Sequence, residues 1–217
     1  MNRLLALGAA FGLAAFACPS DPTVEELLSG MRKAYRETKT ANFQTKSEIR
    51  EAGQELTVVL DGQFMSPNKM KVSFTGVPSG AVTLYCDGAK VSVAIEGKVV
   101  RSMDYSLDSL GRSLFANLET LCFFDWKRQL STEQGGNMQK SKLKIVKEDW
   151  NGESWLVLEE HAPEQKVEVR YFVDPDTKFI WRTVATMIGD KQPFMDARIV
   201  KLELNPTIDE KVFSPPK

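Results

Sequence analysis

The 217-residue sequence predicts an α+β fold, mainly antiparallel β, in which one strongly curved sheet of about eleven strands has its concave side covered by helices. Three observations lead there. Apolar and polar residues alternate through most of the chain after residue 40, two stretches replace that alternation with a helical repeat, and turn residues punctuate the strands with no linker that would divide the domain.

The first helix begins at Thr23-Val24-Glu25-Glu26, a capping box in which the threonine hydroxyl and the second glutamate cover exposed backbone amides. Val24, Leu27, Leu28, Met31 and Tyr35 follow at helical spacing, an apolar stripe that must lie on something. From Asn42 the period is two: Phe43, Thr45, Ser47 and Ile49 alternate with Gln44, Lys46, Glu48 and Arg50. After a turn at Ala52-Gly53, Leu56, Val58, Leu60 and Phe64 mark a second strand. Met70, Val72 and Phe74, alternating with Lys69, Lys71 and Ser73, mark a third. Asp87-Gly88 between apolar runs at 82–86 and 91–95 is a strong hairpin signal, and 99–103 extends the meander. Each strand is apolar mainly on one face, as in an antiparallel sheet over a single core.

Between Ser106 and Trp126 the helical period returns, with Leu107, Leu110, Leu114, Leu118, Leu121 and Cys122 on one stripe of a second helix. Beyond a break at Gln134-Gly135-Gly136-Asn137, residues 143–147, 155–158, 167–173, 179–187 and 195–204 read as further strands. Asn151-Gly152, Asp174-Pro175-Asp176 and Gly189-Asp190 supply their turns.

The chain opens with Asn2 and Arg3, then an uninterrupted apolar run from Leu4 to Ala17 that ends Ala15-Phe16-Ala17 before Cys18. As a helix this run would span about 21 Å, short of a ~30 Å hydrocarbon core, and its Ala-x-Ala ending suits signal peptidase. The expected organisation is a signal peptide over 1–17 and one domain over 18–217, a periplasmic protein whose mature chain begins at Cys18, either free or acylated as a lipid anchor. In an oxidising compartment Cys86 and Cys122 can pair, or they can stand as buried thiols; their spacing does not choose.

Composition narrows the chemistry. Lys and Arg number 28 against 29 Asp and Glu, so no basic excess is available for a nucleic-acid backbone. The single histidine, His161, removes most general-base and metal schemes, and no Cys-x-x-Cys or His-Glu-x-x-His occurs. Asp174-Pro175-Asp176-Thr177 sits between two alternating strands and reads as a turn rather than a phosphotransfer site. Ser79 and Ser154 lack a Gly-x-Ser-x-Gly elbow, and His161 lies in a polar stretch, Glu159-Glu160-His161-Ala162-Pro163, that reads as a loop. Adjacent Glu159 and Glu160 point to opposite faces of any strand and cannot face one another as acid and base. The residues propose no enzyme, cofactor or metal. They do include 12 Phe, 8 Met and 4 Trp, and adaptable linings of this kind suit flexible apolar ligands such as acyl chains.

Four segments in order resemble the LolA-like family of bacterial cell-envelope proteins. These are 62–71, Gly-Gln-Phe-Met-Ser-Pro-Asn-Lys-Met-Lys, with its Pro-Asn turn; Tyr85-Cys86-Asp87-Gly88-Ala89-Lys90; Val173-Asp174-Pro175-Asp176-Thr177; and the closing 205–216. With the first helix the resemblance covers roughly residues 22–216. It implies an unclosed LolA/LolB-like β-barrel whose helices form a lid over a hydrophobic cavity holding lipid or lipoprotein acyl chains. One position departs: the family's lipoprotein carrier has an arginine before the Pro-Asn, associated with lid closure and one-way handover. Here it is Ser66, which offers neither that charge nor its five donors.

Alternation and resemblance together give an expected ligand site on the inward sheet face: Phe64, Met70, Val72, Phe74, Trp155, Tyr171 and Trp181 beneath the helix carrying Leu110 and Leu114. The expected function is a monomeric lipid or lipoprotein acyl-chain carrier of the cell envelope. The alternative is an RseB-like regulatory or sensory module that binds lipid and an envelope membrane-protein partner.

Overall fold

The computed structural model describes residues 21–216 apart from 52, 79, 106–141 and 163–165. The second expected helix, with Leu110, Leu114 and Cys122, lies outside the described residues, as do the leader and Cys18.

Helix α1 (Val24–Glu37) starts where the capping box places it: the Thr23 hydroxyl accepts from the Glu26 amide at 3.2 Å and the Thr23 amide donates to the Glu26 carboxylate at 2.8 Å. The Thr23 amide, and the Thr23 hydroxyl that also donates to that carboxylate at 2.9 Å, stabilise its ionised form and hold the Glu26 pKa below its usual range. The helix ends at Thr38, whose extended backbone leads into the sheet and whose hydroxyl donates back to the Ala34 carbonyl.

Eleven strands follow: β1 (Thr40–Glu51), β2 (Gln54–Met65), β3 (Lys69–Thr75), β4 (Val82–Asp87), β5 (Lys90–Ile95), β6 (Lys98–Asp104), β7 (Lys142–Trp150), β8 (Glu153–Ala162), β9 (Val167–Val173), β10 (Ile180–Met187) and β11 (Met195–Leu204). They form one antiparallel sheet in the order β6-β5-β4-β3-β2-β1-β11-β10-β9-β8-β7. Two meanders are therefore joined at the centre by pairing of the first strand with the last. Strands β6 and β7, neighbours in sequence, stand at opposite edges, which makes the sheet an unclosed, curved half-barrel.

The turns follow local chemistry. Asn151 and Gly152 both take positive φ, 56° and 79°, in a two-residue hairpin between β7 and β8, the geometry that matches strand twist. The Asp87 carboxylate accepts from the Ala89 and Lys90 amides at 2.9 and 2.8 Å, which depresses its pKa. Asp174 likewise caps the amides of Asp176 and Thr177, so Asp174-Pro175-Asp176-Thr177 is the expected turn.

One expected loop is a strand. Glu159, Glu160, His161 and Ala162 complete β8, with Lys144, Leu143 and Lys142 of β7 on one side and Arg170, Val169, Glu168 and Val167 of β9 on the other. A polar sequence continues the strand because two ladders satisfy its backbone groups, and pairing outweighs local propensity. His161 itself is exposed.

The core lies on the sheet face that carries α1. Leu27, Leu28, Met31 and Tyr35 pack there with residues from both meanders, including Phe64, Val72, Leu158 and Val173. Tyr35 ties the helix to β10: its ring meets Phe179 with centroids 4.7 Å apart, and its hydroxyl oxygen accepts from the Ile180 amide at 3.2 Å. Full burial pushes this phenol far above the usual tyrosine range.

Candidate functional site

Register fixes which side chains share the inner face. Ala41 opposes Phe64, Phe64 opposes Met70, and Met70 opposes Cys86; one row along, Gly62 opposes Val72 and Val72 opposes Leu84; next, Leu60 opposes Phe74 and Phe74 opposes Val82. All are buried. On the other side of the centre, Thr183 opposes Tyr171 and Tyr171 opposes Leu158, again inward. Phe64, Met70, Val72, Phe74 and Tyr171 thus lie on one continuous apolar face beneath α1.

A glycine shapes that face. A Cβ built on Gly62 would come within 2.0 Å of the Phe43 ring, which lies over the β2 backbone and takes the space a side chain would fill.

Trp155 is not on this face, which corrects the expected site. It opposes Glu148 and is one residue out of phase with inward Leu156, so it belongs to a separate outer cluster with Val157, Phe172 and Val184. Trp150 packs on it with ring centroids 5.0 Å apart and on Phe172 at 5.6 Å, and the Trp155 indole N–H donates to the Trp150 carbonyl at 3.2 Å. The Arg182 guanidinium sits 5.2 Å from the Trp150 ring and 5.0 Å from the Phe172 ring, held by two hydrogen bonds to Asp196 at 2.9 and 2.7 Å. Arg170 covers Phe172 from 5.4 Å and pairs with Glu148 and Glu159. The guanidinium groups close the cluster against water. Trp181 falls at a β-bulge, between Ile180 and Arg182, and touches both clusters.

Glu160 is an inner-face residue that the sequence does not reveal. It points inward, is 8% exposed, and accepts from the Tyr171 hydroxyl at 2.7 Å, a polar pair on an apolar face. Inward Thr45, Ser47 and Thr183 are buried as well. The alternation of the β1 pair is legible in the sequence, but their lack of exposure depends on what covers the sheet.

Cys86 is a buried free thiol on β4; its S–H donates to the Asn68 carbonyl at 3.0 Å, and burial pushes its pKa up. Three of the segments that carry the family resemblance meet here. Asn68 of the Pro-Asn turn donates through its side chain to the Gly88 carbonyl at 2.9 Å, and Lys69 pairs with Glu210 of the C-terminal 3-10 turn (Glu210–Phe213), whose Phe213 is fully buried. These motifs anchor one end of the barrel, and they reach the inner face only through residues such as Phe64, Met70 and Cys86.

No family model and no curated protein matches the sequence. Among solved structures, an uncharacterized conserved protein from Thermus thermophilus superposes with a TM-score of 0.56 at 8% identity, covering 89% of this chain and 94% of that one. LprF from Mycobacterium bovis gives 0.49 at 10% identity over 89% and 95%. The LolA superfamily protein NE2245 from Nitrosomonas europaea gives 0.40 at 12% identity over 89% and 98%. The Thermus likeness and the strand order define the class by fold alone: an unclosed, curved antiparallel half-barrel.

Proposed function

We propose that this protein binds the acyl chains of a lipid or lipoprotein on the inner face of its half-barrel and acts as a carrier in the bacterial cell envelope. One observation carries the reading: a single apolar cluster extends across an unclosed sheet from Val93 on β5 to Leu158 on β8, under an amphipathic helix. Each methylene moved from water onto such a face contributes about 0.8 kcal/mol, so a long chain is held by area alone. The contact residues are Phe64, Met70, Val72, Phe74 and Tyr171, with Trp181 at the bulge and Leu110 and Leu114 from the intervening 106–141 segment. An open sheet edge suits loading and release better than a closed barrel does. The leader over 1–17 would deliver the protein to the periplasm as a monomer, with Cys18 as the anchor if acylated.

Native mass spectrometry of the protein purified from its own envelope tests this. The expected spectrum holds adducts that release lipid or acylated peptide on activation. A ligand-free spectrum, together with no binding of a fluorescent fatty acid at micromolar concentration by the folded protein, overturns the reading in favour of a filled structural barrel.

A further inference from the structure

The middle of the inner face differs from its flanks. Where β1, β11 and β10 run side by side, the inward positions include the small residues Thr45, Ser47, Ala197, Thr183 and Ala185 beside the larger Ile199 and Met195, whereas Phe64, Phe74, Leu158 and Tyr171 stand to either side. Ser47 opposes Ala197 and Ala197 opposes Thr183, so one row of small residues runs across three strands. Two side chains in it stand out. Ser47 is 0% and Thr45 2% exposed, and neither hydroxyl oxygen has a hydrogen-bond partner among the described residues. A buried hydroxyl left unpaired is unfavourable, and a β-strand can place alanine or valine at such positions at no cost to pairing.

We propose that Thr45 and Ser47 are a binding subsite for the ester or amide carbonyls of a diacyl-type lipid, a specificity that rests on the acyl-chain reading above. Each hydroxyl donates one hydrogen bond to a carbonyl oxygen, and the flanking aromatic and aliphatic surfaces take the chains. Two features select this chemistry. First, residues two apart on one strand face are separated by about 7 Å, wider than the two oxygens of a single carboxylate and suited to separate carbonyls on adjacent linkages. Second, the inward strand neighbours Val58, Leu60, Ala197, Ile199 and Thr183 are uncharged, so a carboxylate held among them would lose its hydration with no cation on those strand positions, whereas a neutral carbonyl needs only the donors present.

The test compares 1,2-dipalmitoylglycerol with its dihexadecyl ether, which has the same chain length and headgroup but no carbonyls, as competitors against a bound fluorescent fatty acid. Wild-type protein is expected to prefer the diester by roughly tenfold, since each neutral hydrogen bond is worth a few-fold in affinity. Thr45→Val and Ser47→Ala should each reduce the preference, and the double variant should bring it below about twofold, with ether affinity unchanged. Ligand-free melting temperatures of both variants should be equal to or above wild type, because an unpaired hydroxyl is removed. A fall in melting temperature would mark a structural role and overturn the proposal. Equal binding of ester and ether by wild type, or a preference that survives in the double variant, overturns it too while leaving acyl binding intact. Failure of the fatty-acid probe itself to bind removes the underlying reading as well.

Discussion

On the inner face of β8 and β9, Leu156, Leu158, Tyr171 and Val173 join an apolar surface that continues across the whole sheet. On the outer face of the same two strands, Trp155, Val157 and Phe172 form a cluster of their own. Both sets are buried and both are rich in large side chains, yet their surroundings differ. The outer cluster is finished by its own neighbours: Trp150 lies across it, Arg170 and Arg182 stack over it, and Asp196, Glu148 and Glu159 hold those guanidinium groups. The inner surface runs under a helix fastened at Tyr35 and carries a buried acidic pair, Glu160 with Tyr171. Apolar content therefore does not single out the inner face in this fold; strand phase and the manner of closure do.

A charge on each face separates the two most sharply. Phe74→Glu would bury an unpaired carboxylate on the inner face and should weaken fluorescent fatty-acid binding by about 100-fold or more, whereas Lys71→Glu, on the outer side of β3, should change it less than about twofold. Titration of both folded variants checks this. Trp155→Ala should do the reverse: it removes a packed outer ring at a cost of about 3 kcal/mol in urea unfolding while leaving the folded protein's affinity within about twofold. Strong loss of binding in Trp155→Ala with stability intact would erase the distinction between the faces.

A smaller effect sharpens the packing of the inner face. Gly62→Ala forces a methyl against the Phe43 ring, so about 1–3 kcal/mol of stability should be lost, measured by denaturant midpoint, with partial recovery in the Gly62→Ala, Phe43→Leu double variant. The smallest concerns the β4–β5 turn. Asp87 has a depressed folded pKa because two amides donate to it, so its contribution is present above the ordinary Asp pKa and disappears as pH falls through the depressed value. Melting curves of wild type and Asp87→Asn should differ modestly at pH 7 and converge toward about pH 2.

Much of the fold is readable from single strands. In β1 and β3 charged residues alternate with apolar or small ones, so Lys46, Glu48 and Lys71 assign the outer face and Thr45, Ser47 and Val72 the inner one. The run Trp155-Leu156-Val157-Leu158 carries no such mark, because it is buried on both faces and its phase comes only from register with β7 and β9. Sequence alone therefore puts Trp155 inward when it lies outward. Pairing of β1 with β11 joins residues such as Ala41 and Leu204 that no local pattern connects, and the bulge that sets Trp181 between both clusters depends on the pairing of β9 and β10. Glu160 follows the same logic: a glutamate in a polar stretch reads as solvated until the ladder turns it toward Tyr171.

Photo-crosslinking with a diazirine-bearing fatty acid, followed by mapping of the labelled peptides, tests most directly whether the inner face is the binding face. The expected labels fall on inward residues of β2, β3 and β8–β10, such as Phe64, Val72, Phe74 and Tyr171, and are competed away by unlabelled fatty acid. Competable labelling concentrated on Trp150, Trp155 and Phe172 would contradict the account.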